Sequence, residues 1–243
     1  MARNGLPPTR RQLIARGAVL GVTATLGLWS RGAYGEDQMT DSGAQQPDDE
    51  ENVSPAEDLM REHGVLARVL LIYEASLGRL AERDESPHPV TVRAADITRR
   101  FIEDYHEKLE EEFIFPRFES AGTLLELVRT LRLQHRRGRA LTDEIRRLAQ
   151  AGRGATIETT TQLRGAVQAF VRMYRPHAAR EDTVLFPAFR KLVPQKQYAD
   201  LGEQFESKEH ALFGPHGFQN IVDQVAELEN VVGIYDLNGF TPA

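Results

Sequence analysis

The sequence predicts an all-α protein, an up-down-up-down four-helix bundle followed by additional short helices. Apolar residues recur every three or four positions along four long segments, which is the period of one helix face. Short connections that contain glycine or proline separate these segments, so neighbouring helices should run antiparallel. The 243 residues include no cysteine, which excludes disulfides, thiolate metal sites and cysteine nucleophiles. Any bound metal must therefore be held by histidine, aspartate or glutamate.

Residues 1–35 are predicted to form a twin-arginine export signal. Arg10 and Arg11 precede an uncharged stretch at 17–29, and Ala33 and Gly35 offer a small-residue cleavage site. The segment resembles signals of the twin-arginine route, which carries folded proteins, so the protein is expected in the periplasm or outside the cell. The stretch is too short to span a bilayer of about 30 Å. The mature form should have no integral membrane span, although an uncleaved signal would tether the protein.

Residues 36–53 are predicted to be an acidic, disordered linker. Between Glu36 and Glu51 the chain has seven acids, no lysine or arginine, and little that can be buried. The formal charge of the whole chain is −6, and removing the five arginines of residues 1–35 takes it to −11. A protein this acidic is not expected to bind nucleic acid.

Residues 54–190 are predicted to form the bundle. The first helix begins at a capping box made by Ser54 and Glu57, with Pro55 at the first helical position, and runs to about residue 83. The other three are expected at about 91–119, from after 122 to about 152, and from about 157 past 185.

Residues 191–243 are predicted to be a C-terminal helical extension. Amphipathic patterns at 196–213 and 218–231 indicate shorter helices that close one side of the bundle. His88 lies between two prolines and His216 between a proline and a glycine, so both are expected in solvated loops.

One motif occurs twice: a histidine, a glutamate four residues later, and a Phe-Pro pair that begins five residues after the glutamate. The two copies are His106, Glu110, Phe115 and Pro116, and His177, Glu181, Phe186 and Pro187. Residues four apart on a helix are stacked neighbours, so each copy presents an imidazole nitrogen and a carboxylate to one point. Each copy is therefore a clamp with two metal ligands.

Two further histidines, His63 and His135, lie on the apolar stripes of the first and third helices. A single histidine in such a place is more often a core residue with one hydrogen bond. Together with the two clamps, however, these histidines let every bundle helix contribute a ligand. Buried carboxylates without partners cost several kcal/mol, so two interior glutamates require cations. Four imidazoles and two carboxylates suit two transition-metal ions.

These residues resemble the pattern of the hemerythrin and HHE cation-binding family, over roughly residues 54–187. The resemblance implies a non-haem di-iron centre with two iron ions, in which Glu110 and Glu181 bridge the ions. It implies that the histidines fill terminal positions, namely His63, His106, His135 and His177. Zinc, manganese and other divalent metals could occupy the same ligands.

The sequence departs from the pattern of the oxygen-carrying members on the third helix. Those proteins have a second histidine four residues after the ligand, and this chain has Arg139 there. One nitrogen donor is therefore missing, and either a labile water or a side chain such as His210 would take its place.

A second departure concerns the bridging carboxylates. Oxygen carriers place an aspartate five residues after the helix-four histidine, where this chain has Asp182 beside Glu181. A spacing of four keeps both side chains on one helix face and favours Glu181. Glu107 and Glu111 are alternatives to Glu110, or additions to it.

Three functions are compatible with such a site. The first is a binding protein that takes up or senses a small diatomic ligand, O2 or NO, or peroxide, without turnover. The second is an enzyme that consumes peroxide or NO at the position left open by Arg139. The third is a structural or metal-storage bundle. Histidine-rich ligation favours the first, because di-iron oxidases of the ferritin type use more carboxylates.

Overall fold

The computed structural model describes residues 53–81 and 87–242, and nearly all of this part of the chain is helical. These described residues form six α-helices and no strand, which confirms the predicted all-α class. The export signal predicted at residues 1–35 and nearly all of the predicted linker at 36–53 lie outside the described residues.

Four long helices and two shorter ones follow one another along the chain. Some contain π-helical turns, described below, and are treated as single continuous helices. They are α1 (Pro55–Ala81), α2 (87–121), α3 (Leu125–Ala149), α4 (157–192), α5 (Gln195–Phe213) and α6 (Gly217–Val231).

The helix ends follow from local side-chain chemistry. The backbone N–H of Glu57 donates to Ser54 Oγ (3.3 Å), as the predicted capping box requires. Gly122, whose φ of 68° is favoured by glycine, follows the last residue of α2. Thr156 caps the start of α4, where its side chain accepts from the N–H of Thr159 (3.1 Å). The connections between α2, α3 and α4 are short as a result.

Helix α2 begins earlier than the sequence pattern indicates, at Pro87 and not near residue 91. Both prolines fall within its first turn, where a missing backbone N–H costs nothing because that group has no partner inside the helix. His88 is therefore not in a solvated loop: it is helical and only 6% exposed. The prediction for His216, which is exposed, was correct.

Polar contacts between neighbouring helices show that they run antiparallel. Between α2 and α3, Glu103 contacts Thr142 while Glu111 contacts His135, so one helix ascends as the other descends. Helices α1 and α4 are related in the same way through His63 with Asp182 and Glu74 with Arg175. Each long helix packs on two of the others, α1 on α2 and α4, and α3 on α2 and α4. This is the predicted up-down-up-down arrangement.

The two short helices pack against α1 and α2. Tyr198 of α5 accepts a hydrogen bond from the N–H of Ala56 through its hydroxyl (3.2 Å) and so satisfies one free donor at the start of α1. Glu229 of α6 forms a two-point ion pair with Arg68 of α1 (2.6 and 2.8 Å). None of the described helices is both long enough and apolar enough to cross a membrane.

Candidate metal centre

The six side chains predicted to bind metal meet in the bundle interior, one or two from each long helix. All six are at most 5% exposed. The Nε2 atoms of His63 and His106 are 3.0 Å apart, and the ring centroids of His135 and His177 are 5.1 Å apart. The histidines therefore form two pairs, one from α1 and α2 and the other from α3 and α4.

The two glutamates lie between these pairs. Glu181 Oε2 is 3.0 Å from His177 Nε2 and 3.3 Å from His63 Nε2. Glu110 Oε2 is 3.4 Å from His135 Nε2 and 3.8 Å from His106 Nε2. Each carboxylate thus faces one imidazole of each pair, which is the geometry that a carboxylate bridging two cations needs.

A π-helical turn follows each clamp. The N–H of Phe115 bonds to the carbonyl of Glu110, and the N–H of Phe186 to the carbonyl of Glu181, both five residues back where an α-helix would reach back four. The next residue in each copy is a proline, which has no N–H and whose ring conflicts with the carbonyl four residues earlier. The wider turn relieves that conflict, and π-turns are frequent at functional sites. A third, longer π-helical segment, Thr98–His106, precedes the first clamp.

The phenylalanine of each motif copy stacks on the histidine of a neighbouring helix. The ring of Phe115 lies 5.4 Å from that of His135, and the ring of Phe186 lies 5.6 Å from that of His63. The repeated Phe-Pro pair therefore widens the helix through its proline and covers an imidazole through its phenylalanine.

Every histidine of the centre has a partner for its Nδ1 atom. The prediction placed two of these partners, Asp182 and Glu111, among the alternative metal ligands, and it missed Glu62 and Gln134. The Nδ1–H of His63 donates to Asp182 Oδ1 (2.6 Å), and that of His106 donates to Glu62 Oε2 (2.8 Å). In the other pair, the Nδ1–H of His135 donates to Glu111 Oε1 (3.1 Å), and that of His177 donates to Gln134 Oε1 (2.9 Å). These contacts orient all four Nε2 atoms toward the glutamates. The missed residues Glu62 and Gln134 have a sequence signal, since each immediately precedes one of the single histidines.

The structure places the alternative carboxylates away from the centre of the site. Asp182 contacts His63 Nδ1, and Glu111 contacts His135 Nδ1, so neither lies between the histidine pairs. Glu107 accepts a hydrogen bond from the Tyr174 hydroxyl (2.6 Å). Glu181 and Glu110 therefore remain the carboxylates that face both imidazole pairs.

Arg139 lies beside the site without pointing at the imidazole nitrogens. Its Nη2 atom is 2.7 Å from Glu107 Oε2 and 2.8 Å from Glu111 Oε1. Glu107, Glu111 and His135 each bring one atom within 4.8 Å of the others, and the guanidinium is the cation that the two carboxylates share. His210 belongs to none of the metal-ligand clusters found among the described residues.

Burial and neighbouring carboxylates shift the pKa values of three histidines in opposite directions. Burial alone would lower the pKa of His63, but the hydrogen bond to Asp182 and the nearby carboxylate of Glu181 (3.3 Å) raise it to about 9. Burial lowers the pKa of His106 well below its usual value and takes that of His135 to about 4. Without metal, these shifts favour a protonated His63 at neutral pH and neutral imidazoles at His106 and His135.

The pKa values of the two glutamates are also shifted in opposite directions. Burial and the charge of Glu181 raise the pKa of Glu110 well above its usual value. Burial would also raise the pKa of Glu181, but His177 and His63 together hold it well below its usual value. The two carboxylates thus repel one another in the metal-free protein, and bound cations would remove that repulsion.

Several of the atoms that could bind a metal here lack a hydrogen-bond partner. Among the described residues, both oxygens of Glu110, both oxygens of Glu181 and Nε2 of His135 are buried without a hydrogen bond of acceptable geometry. Such groups cost several kcal/mol each unless something satisfies them. Imidazole nitrogens and carboxylate oxygens suit divalent transition metals, so these residues fit a bound metal pair.

Comparison with known proteins agrees with this geometry. The sequence model of the hemerythrin HHE cation binding domain matches residues 54–189 and, in an overlapping match, residues 126–210. This chain belongs to the hemerythrin HHE cation-binding family. The first match ends just after the second Phe-Pro pair, so it contains all four bundle helices up to the last turns of α4.

Two mycobacterial proteins are similar to this chain in sequence. The uncharacterized proteins Rv1995 of Mycobacterium tuberculosis (strain ATCC 25618 / H37Rv) and Mb2018 of Mycobacterium bovis (strain ATCC BAA-935 / AF2122/97) are each 48% identical to it over 197 residues. The aligned region covers 81% of this chain and 77% of each relative. No solved structure matches the chain at a significant level.

Proposed function

We propose that this hemerythrin-like protein binds two iron ions at the six-residue centre and takes up a small ligand there, O2, NO or peroxide, as a binding or sensing protein. Glu110 and Glu181 would bridge the ions, and two histidines would hold each of them, His63 with His106 and His135 with His177.

The observation that carries the proposal is the set of buried donor atoms without hydrogen bonds at Glu110, Glu181 and His135. In a helix bundle without a bound metal, apolar side chains would fill this space, because burying carboxylates and imidazoles without partners destabilises the fold. Here the sequence places two carboxylates and four imidazoles there, and each imidazole has an outer acceptor. Buried carboxylates and imidazoles that are oriented by outer hydrogen-bond acceptors are characteristic of a metal site.

The ligand count favours binding of an additional small molecule. Each metal position has two imidazoles and shares two carboxylates, and non-haem iron sites with so few protein ligands keep open positions. Arg139, where oxygen carriers have a further histidine, pairs with Glu107 and Glu111 and donates nothing to the centre. A bound pair would therefore retain positions open to exogenous ligands, and an iron centre supplies reversible binding or reduction of oxygen species there.

Two neighbouring acids provide the sharpest test of the ligand assignment. Glu181→Gln should reduce the iron content of the purified protein from two ions per chain to one or none, because it removes a carboxylate that faces both positions. Asp182→Asn should retain both ions with about 10–100-fold lower affinity, because it only weakens the hydrogen bond behind His63. Metal analysis and the visible spectrum report the outcome. Equal losses in both variants would contradict the assignment.

The alternative functions differ in measurable ways. Steady consumption of peroxide or NO by the iron-loaded protein would favour the enzyme. A reversible visible band that depends on O2 or NO, without consumption, supports the binding protein. A metal pair that responds to none of these ligands would leave only the structural or storage bundle.

We also propose that the chain is exported by the twin-arginine route, on the basis of Arg10, Arg11 and the uncharged segment that follows. Replacing both arginines by lysine should leave the precursor in the cytoplasm, as measured by cell fractionation. Unchanged export of this variant, or export in cells that lack the twin-arginine machinery, would contradict the proposal.

A further inference from the structure

The centre has an approximate internal repeat in which α1 and α2 correspond to α3 and α4. His63 corresponds to His135, and the first clamp corresponds to the second. The inner donors are therefore alike on the two sides, with two imidazoles each and the two glutamates between them. On these donors alone, the two metal positions would be equivalent.

The outer contacts repeat in the same manner. The residue that precedes each single histidine accepts a hydrogen bond from the clamp histidine of the adjacent helix, Glu62 from His106 (2.8 Å) and Gln134 from His177 (2.9 Å). The acid that follows each clamp glutamate contacts the single histidine of another helix, as Asp182 does with His63 (2.6 Å).

The two halves of the repeat differ in charge at one pair of corresponding residues, Glu62 and Gln134. Glu62 offers a fully buried carboxylate, whereas Gln134 offers the oxygen of a neutral amide. On the same side as Gln134, the carboxylate of Glu111 is shared among His135 and two cations, Lys108 and Arg139, each 2.8 Å from it. The acceptors behind His135 and His177 are thus the weaker ones.

The strength of these acceptors matters for the metal. A carboxylate that accepts the Nδ1–H of an imidazole makes the Nε2 atom of that ring a better donor, and a neutral amide does so less. The position between His63 and His106 should therefore hold a cation more tightly than the position between His135 and His177.

We propose that Glu62 and Gln134 make the two metal positions unequal, so that a divalent transition-metal ion fills the His63–His106 position first. This inference rests on the proposed function, since it requires both positions to bind metal. Glu62 and Gln134 touch neither ion and act as positioning residues through the imidazoles.

Reciprocal exchange of the two side chains tests the inference. The metal-free protein is titrated with Co2+ alone, followed by calorimetry and by visible absorption, and the wild type should bind two ions in two resolved steps. Glu62→Gln should weaken the first step by about 10–100-fold, and Gln134→Glu should strengthen the second step by a similar factor. Each single exchange should bring the two steps closer together.

The double variant Glu62→Gln/Gln134→Glu gives the decisive arrangement, because it restores unequal acceptors with the sides reversed. Two resolved steps should return. Anomalous diffraction from crystals with one equivalent of Co2+ should then find the ion at His135 and His177, and in the wild type at His63 and His106.

Matched controls remove the effect of net charge. Glu126→Gln and Gln168→Glu make the same chemical changes at exposed positions of α3 and α4 and should leave both steps unchanged. Circular dichroism of each metal-free variant establishes that it folds. If Glu62→Gln does not fold, Gln134→Glu alone carries the test, because it adds an acceptor without removing a partner.

The possible failures are distinguishable. Two wild-type sites of equal intrinsic affinity, or single exchanges that both alter the same step, would overturn the inference while leaving the metal pair intact. Binding of fewer than two Co2+ ions by the wild type would overturn the proposed function itself.

Discussion

At the scale of single residues, Arg139 pairs with two carboxylates at the position where the oxygen-carrying members of the family have a histidine ligand. Its guanidinium bonds to Glu107, which is 1% exposed, and to Glu111. Burial raises the pKa of Glu107 well above its usual value, with Arg139 acting in the opposite direction. The position that supplies a donor in oxygen carriers here supplies a cation for two carboxylates beside the centre.

Replacing Arg139 by methionine should lower the free energy of unfolding of the metal-free protein by about 2–4 kcal/mol. The change leaves Glu107 buried without its cation, and breaking a buried ion pair from one side costs about 3–5 kcal/mol. The cost is reduced here because Arg139 is partly exposed and because the raised pKa of Glu107 lets it take up a proton. Urea denaturation measures the loss. Adding Glu107→Gln should recover much of it, because the amide can still accept from Tyr174. A change below about 0.5 kcal/mol in the single variant would show that the pair contributes nothing.

The convergence of the six inner residues could be predicted because their signal is local: a histidine and a glutamate four apart, twice, and single histidines on apolar stripes. The outer residues could not be assigned in the same way. Whether Asp182 or Glu181 faces the other histidine pair depends on the rotation of α4 after residue 180, where the helix becomes a π-turn. A period of 3.6 residues does not describe that rotation.

At the scale of helices, the approach of α3 to α4 depends on one glycine. A Cβ atom added at Gly138 would lie 1.9 Å from the hydroxyl oxygen of Tyr174 and 2.7 Å from its Cζ atom. The same hydroxyl donates to Glu107 and the same ring packs 5.2 Å from His177. Gly138 therefore makes room for the tyrosine that links the Arg139 contacts to the centre.

Gly138→Ala should destabilise the protein by about 1–3 kcal/mol although alanine favours helices by about 1 kcal/mol, because the added methyl group displaces Tyr174 from a packed interior. Thermal and urea unfolding report the change. Gly165→Ala on α4 is the matched control, since nothing lies within 4 Å of the added atom, and it should stabilise by roughly 0.5–1 kcal/mol. Equal effects in the two variants would refute the packing argument.

The helices themselves were largely predictable, and their boundaries less so. Capping chemistry at Ser54 and the glycine at residue 122 mark ends that the structure confirms. The start of α2 was misplaced because the two prolines at residues 87 and 89 were interpreted as a break. In the first turn of a helix a proline is compatible with the fold, and only the burial of His88 against the bundle distinguishes the two cases.

At the scale of the whole molecule, the metal and the fold should be linked through protons. In the metal-free protein the pKa of His63 is raised from 6.5 to about 9, mainly by Asp182 and Glu181 acting against burial. A raised histidine pKa contributes stability that is fully present below pH 6.5 and is lost as the pH rises through 9. Metal binding needs the same histidine without its proton, so affinity for metal should rise over the same interval.

Stripping the metal should therefore lower the melting temperature, and by more as the pH rises from 6.5 to 9. The metal-free protein should lose stability on the order of 2–3 kcal/mol over this interval through His63 alone. The metal-loaded protein should lose much less, because its His63 binds no proton. Calorimetry of both forms at several pH values measures the difference. Parallel melting curves at all pH values would contradict the linkage.

The outer contacts also have a consequence for the order in which the molecule assembles. Two of them join opposite hairpins, since His63 of α1 meets Asp182 of α4 and His135 of α3 meets Glu111 of α2. A chain with only one hairpin formed would offer two imidazoles and one glutamate, with one imidazole still free to turn away. Metal capture should therefore be among the last events of folding, and a filled centre would mark a chain whose hairpins have already docked.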